Sequence, residues 1–167
     1  MAANTNVSNI LEQVSFVGDD GSMQRGSHQE VISGQGATRT LRREESGALC
    51  LFDRAAGIVY TLPAAPTIGM TFDFRTTVTI TSNAAKVITG ASTQFMLGLV
   101  LVVGGTTETI VSADFNGTTH IAISSNGTTT GGVIGDQYTV TAISATQWVI
   151  SGMASGSGTV ATPASTT

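Results

Sequence analysis

Charge is what this chain has least of. Only 11% of its 167 residues are Asp, Glu, Lys or Arg, against roughly 25% in an ordinary soluble domain. Thr, Ser, Gly and Ala take their place, so the surface is solvated by hydroxyls or covered by partners. The few cations are also confined. All seven basic residues lie at or before Lys86, and only Glu108, Asp114 and Asp136 carry charge after it. A C-terminal half without cations argues against phosphate binding there, and no basic face interleaved with aromatics supports a nucleic-acid partner. Cysteine is nearly missing too. Cys50 stands alone, so it closes no internal disulfide and reads as a small core hydrophobe. Long apolar runs are lacking: the longest, Phe95 to Val103, is interrupted by Gly98 and falls far short of the roughly eighteen residues of a membrane span. Residues 1–6 show no basic region leading into an apolar core, so neither a secretory signal nor a membrane partner is expected.

What the chain has is a succession of short β-prone runs closed by Gly, Pro, Asn or Asp. The stretch from Ser46 to Thr89 is the organising one. Met70, Phe72, Phe74, Val78 and Ile80 fall on one face of an alternating run, and Thr71, Asp73, Arg75, Thr77, Thr79 and Thr81 on the other. A period of two with Thr on the wet side predicts a half-buried sheet. Phe95 to Val103 predicts a strand or two buried on both faces, with Gly98 marking a bulge. Asn116-Gly117 and Asn126-Gly127 read as type I′ hairpin turns. The runs around Tyr138 and Trp148 follow, with Trp148 as a core or inter-sheet anchor. Nine or ten such strands joined by short turns predict an all-β fold, an antiparallel β-sandwich or β-barrel, over residues 38–152.

The flanks differ. Val7, Ile10, Leu11, Val14 and Val17 have helical spacing, predicting a short amphipathic helix over Asn6 to Val17. With the Gly-rich join at residues 33–37, residues 1–37 read as an arm ordered against a neighbour. Arg39, Arg42 and Arg43 lie at its base in the densest charge cluster, either solvated at a turn or in ionic contact with a partner subunit. Residues 153–167, rich in Gly, Ser, Thr and Ala, read as a flexible tail.

No grouping supplies catalysis. His28, His120 and Cys50 lack paired metal-ligand spacing. Asp19-Asp20-Gly21 lacks the alternating ligands of a calcium loop. No Gly-x-Ser-x-Gly elbow precedes a helix, and Asp53 and Asp73 read as a strand end and an outward strand residue rather than as a glycosidase pair. The two Asn-Gly-Thr sequences match a glycosylation acceptor but read as turns. The expectation is a protein that is not an enzyme and uses no metal or cofactor.

The pattern of Glu45 to Asp53 (ESGALCLFD), Ala55 to Ala65 (AAGIVYTLPAA), Gly69-x-x-Phe72-x-Phe74, Lys86 to Thr89, Gly135 to Tyr138 and Gln147 to Gly152 resembles the capsid decoration, or cement, proteins of tailed bacteriophages. The resemblance runs from about Thr38 to Gly152. Related patterns occur in phage fibre and tail proteins. It implies a β-rich, often trimeric protein, made in the host cytoplasm, that sits on an assembled shell and bridges capsomers. Its partners would be the major capsid protein and further copies of itself. A chain with few charges and no disulfide would equally gain from closing as a homotrimer. The alternative is a receptor- or carbohydrate-binding module of a fibre, which would need an exposed aromatic platform. The candidate partner-binding residues are Val7, Ile10, Leu11, Val14, Val17, Arg39, Arg42 and Arg43.

Overall fold

A computed structural model of the chain describes residues 29–105 and 109–167, together with the backbone of two short strands, β1 (Phe16–Val17) and β2 (Met23–Gln24). Those two pair antiparallel with each other. Phe16 and Val17 are therefore extended, where a helix over Asn6 to Val17 was expected. The rest of that segment, with Val7, Ile10, Leu11 and Val14, lies outside the described residues, as does His28.

Twelve further strands form two sheets. The seven-stranded sheet has the order β10 (Ile110–Asn116), β9 (Phe95–Gly104), β13 (Gln147–Gly156), β12 (Gln137–Ala142), β7 (Thr71–Thr76), β5 (Leu49–Phe52), β3 (Val31–Ile32). The five-stranded sheet has the order β14 (Ala164–Ser165), β11 (Ala122–Ser125), β8 (Ala85–Ile88), β6 (Val59–Thr61), β4 (Thr38–Thr40). A single 3₁₀ turn, Arg43–Glu45, is the only helical element among the described residues. The architecture is an all-β sandwich.

The expected antiparallel order holds for only part of it. From β3 to β8 the chain alternates between the two sheets, laying one strand in each. Consecutive strands of one sheet then run the same way, so β3–β5–β7 and β4–β6–β8 are both parallel. β9 and β13 are also parallel, in register over their full length. The short connections that look like hairpins in sequence are crossings between layers. A crossing reverses direction in the opposite sheet, so the next strand of the first sheet returns parallel. Within these two sheets, antiparallel pairs are confined to β9 with β10, β12 with β7 and β13, and β11 with β8 and β14.

The core forms where the two inner faces meet. Phe52 and Phe74 from one sheet enclose Tyr60 from the other, with ring centroids 5.3–5.9 Å apart, and the Tyr60 hydroxyl donates to the Leu51 carbonyl at 2.8 Å. Phe72 packs against Trp148 at 6.3 Å, and both are fully buried. The alternation over β7 is as expected through Thr76. Beyond it the chain bends, because the Phe52 carbonyl accepts both the Thr77 and Val78 N–H groups. That turns Val78 outward, whereas Thr76 is buried.

Three boundaries differ from expectation. Val31–Ile32 is a strand of the larger sheet with Ile32 buried, so the domain begins before residue 38. The C-terminal residues are not a loose tail: β13 continues to Gly156, Val160 is buried, and β14 pairs with β11. The two Asn-Gly pairs are not hairpins either. Each carries the chain from one sheet to the other, and only Gly117 and Gly127 have positive φ, not Asn116 or Asn126. A type I′ turn needs both. Instead each Asn side-chain oxygen accepts the N–H groups of the Thr residues that follow, those of Thr118 and Thr119 for Asn116 and of Thr128, Thr129 and Thr130 for Asn126.

Candidate functional site

Buried polar groups are the first place to look for chemistry, because each must find a partner inside the fold. Gln94 is buried at one end of the sandwich. Its amide nitrogen donates to the Ala64 carbonyl at 2.9 Å, and its oxygen accepts from Gly90 N–H at 3.1 Å and from the Trp148 indole at 3.4 Å. Asp136 does similar work elsewhere. One carboxylate oxygen accepts from Ser155 N–H at 2.7 Å, and the other from Gly132 at 2.7 Å and Val133 at 3.1 Å. Burial pushes its pKa up, against the pull of those three N–H bonds. The adjacent Tyr138 hydroxyl shares a hydrogen bond with Ser125 at 3.0 Å, and burial followed by the Asp136 charge raises its pKa. The Cys50 thiol is fully buried and pushed up to about 12, chiefly by burial, which makes it a poor nucleophile. Gln94, Asp136 and Tyr138 tie loops or strands together, and Cys50 fills the core. Nothing in the sequence marks Gln94 or Asp136 as such ties, because Ala64, Trp148 and Ser155 are brought to them only by folding.

The arginines expected to meet a partner are split. Arg39, on β4, is ion-paired with Glu45, which also accepts the Arg42 N–H at 2.7 Å. The Arg43 guanidinium donates to the Thr67 hydroxyl. Arg42 and Arg43 are exposed, and Arg43 borders an open groove of about 490 Å³ between the 3₁₀ turn and the 67–70 loop, with Ile68 and Met70 on its wall. Val17 lies on β1, apart from these three in the sequence, so the candidate residues do not form one described cluster.

The surface most suited to contact is one that the sequence concealed. The outer face of β9 presents Leu97, Leu99, Leu101 and Val103. Leu99 is 47% exposed, Met153 on β13, opposite Leu101, is 53% exposed, and Ile110 on β10, opposite Val103, is 62% exposed. β9 is thus buried on one face only. Gly98 on the inner side is no bulge, since register continues through it on both sides. It allows a close approach instead, as a Cβ there would lie 2.1 Å from the Ile150 carbonyl oxygen. Toward β12 and β7 the same face turns polar, with Ser151, Thr139, Gln137, Asp73 and Arg75. A sugar-stacking platform would need an aromatic on the surface. Among the described residues, Phe95 is half-buried and every other aromatic is buried.

Comparison with protein-family models, curated proteins and solved structures finds no match to this chain.

Proposed function

We propose that the chain is a virion structural protein that decorates an assembled bacteriophage capsid and stabilises it by bridging capsomers, without catalysis, metal or cofactor. The observation that carries this reading is where the apolar side chains stand. Ile68, Leu99, Ile110, Ile134 and Met153 are all at least 47% exposed, on a surface that has few charges to keep it apart from other proteins. Leu99, Ile110 and Met153 stand with Leu101 and Val103 on one outer face, and large apolar groups gathered on a surface mark protein contact. Buried Gln94, Asp136 and Tyr138, by contrast, are consumed in holding loops and strands together. The segments that resemble decoration proteins support the reading in kind, since Glu45 to Asp53, Ala55 to Ala65 and Gln147 to Gly152 contain β5, β6 and most of β13. The major capsid protein is the proposed partner. Residues before Gln29, together with exposed Arg42 and Arg43, are proposed to reach a neighbouring subunit.

The test is to add purified protein to phage heads stripped of decoration and recover the heads by sedimentation. The expected result is saturable co-sedimentation, with extra density at fixed lattice positions by electron microscopy and heads that resist heating better. Heads that sediment without the protein, under conditions where it stays folded, would overturn the proposal.

A further inference from the structure

We infer that a hollow beside Arg75, on the outer face of the seven-stranded sheet, receives a carboxylate side chain of the partner protein, whose apolar neighbours lie on Met153 and the β9 leucines. The partner is the one proposed for capsid decoration, so its identity rests on that reading, whereas the site does not.

Register builds the site. Arg75, Gln137, Met153 and Leu101 stand in one row across β7, β12, β13 and β9, and Asp73, Thr139, Ser151 and Leu99 stand in the next. Both rows are polar toward β7 and apolar on β9. The short side chains of Thr139 and Ser151, with Arg75 and Gln137, line a hollow of about 170 Å³. Pockets for drug-sized ligands run from roughly 300 to 1,000 Å³, so this one has room for the end of a side chain.

The hydrogen-bonding groups choose the ligand. Arg75 is the one cation in the seven strands. Its guanidinium donates to the Phe74 carbonyl at 3.0 Å and forms no ion pair among the described residues. Asp73, the next residue of β7 on that face, is already held, accepting from Thr139 at 2.6 Å and from Gln29 at 2.8 Å. The remaining guanidinium N–H groups are therefore left to a ligand, and exposed Gln137 and Ser151 add an amide and a hydroxyl donor. A carboxylate matches this set, since its two oxygens accept the guanidinium fork and further donors together. A phosphate dianion does not. One guanidinium with Asp73 about 7 Å along the strand supplies too little positive charge for it.

Position makes the partner a protein. Met153 lies two strands from Arg75, about 10 Å, and Leu101 three, about 14 Å. An extended segment repeats its same-face side chains at about 7 and 14 Å. A segment with Asp or Glu over Arg75 thus sets the side chain four residues on over Leu101. A free organic acid would leave that apolar strip uncovered, whereas arginine beside apolar surface is a composition enriched in protein contacts.

The test has two parts. Chemical-shift titration of the full chain with sodium acetate reads the site without a partner. The Arg75 side-chain N–H signal should shift more than those of exposed Arg42 and Arg43, with the Gln137 amide following, and Arg75→Gln should abolish the Gln137 shift. No preference for Arg75, or the same signals moved by methyl glucoside and not by acetate, would overturn the site. Co-sedimentation with stripped phage heads reads the partner. Arg75→Gln and Met153→Asp, each shown to be folded by circular dichroism, should weaken binding by about tenfold, whereas Lys86→Glu, on the outer face of the other sheet, should bind normally. Heads that bind wild type and Arg75→Gln equally would overturn the inference and leave capsid decoration standing. A wild type that takes acetate at Arg75 but binds no heads would overturn decoration and leave the carboxylate site standing. Self-association in sedimentation velocity that Arg75→Gln abolishes would give the carboxylate to a second copy, and the inference would fall.

Discussion

Asp136 shows what a single residue contributes to this fold. Its carboxylate holds Gly132, Val133 and Ser155 through their N–H groups, tying the loop before β12 to the far end of β13. An amide at this position would turn its NH₂ toward one set of those donors. Asp136→Asn should therefore destabilise the protein by about 1–3 kcal/mol, the usual cost of leaving buried partners unsatisfied, measured by urea unfolding. The pH dependence has a definite sign. Burial raises the folded-state pKa above the unfolded value of about 3.9. The Asp136 contribution is then greatest below that unfolded value and declines as pH rises through the folded one. The stability gap between wild type and Asp136→Asn should be wider in acid and narrow toward neutrality. A gap that widens with pH would mean that the N–H bonds, and not burial, set this pKa.

Among the elements, β14 and the segment leading to it are the least obvious in sequence and among the most informative in structure. Ser157 and Ala161 donate to the Thr128 and Thr129 carbonyls, the Pro163 carbonyl accepts from Ser124, and Ile121 donates to Ser165. Val160 is buried beneath them. The C-terminal residues thus cover β11, which would otherwise leave a row of unpaired main-chain groups at the sheet edge. Removing residues 157–167 should cost about 2–4 kcal/mol in urea unfolding, from one buried Val and several main-chain hydrogen bonds. Unchanged stability would show that the segment merely rests on the domain.

At the scale of the whole molecule, the sandwich closes its core within residues 29–167. The inner faces of both sheets are filled from this range, down to Ile32 on the short edge strand β3. A chain starting at Gln29 should consequently fold and unfold cooperatively. On the proposed function it should also lose co-sedimentation with phage heads. A start at Thr38 should do worse, because it deletes β3 and uncovers Cys50 and its neighbours on β5. Retained head binding by the folded 29–167 chain would place the capsid contact on the β-domain instead of on the segment before it.

Alternation alone determined that the chain is all-β and which side chains enter the core. Cys50, Phe52, Tyr60, Phe72, Phe74, Tyr138 and Trp148 are all buried as a period of two requires, because that period is local geometry written directly into residue order. Pattern failed where a local signal had more than one tertiary solution. Asn116-Gly117 and Asn126-Gly127 mark a turn wherever they occur, but whether it returns to the same sheet or crosses to the other depends on the layer that receives the next strand. The same choice at the connections between β3 and β8 made four of the pairings parallel. The apolar run of β9 was ambiguous for a related reason. Sequence shows that both faces of the strand are apolar, yet only the sheet's place in the sandwich leaves Leu97 and Leu99 outside. Gln94 and Asp136 left no trace in the pattern, since Ala64 and Trp148 for the one and Ser155 for the other are distant in sequence. What surrounds a residue across the layers is decided by packing, and packing is not a periodic property of the chain.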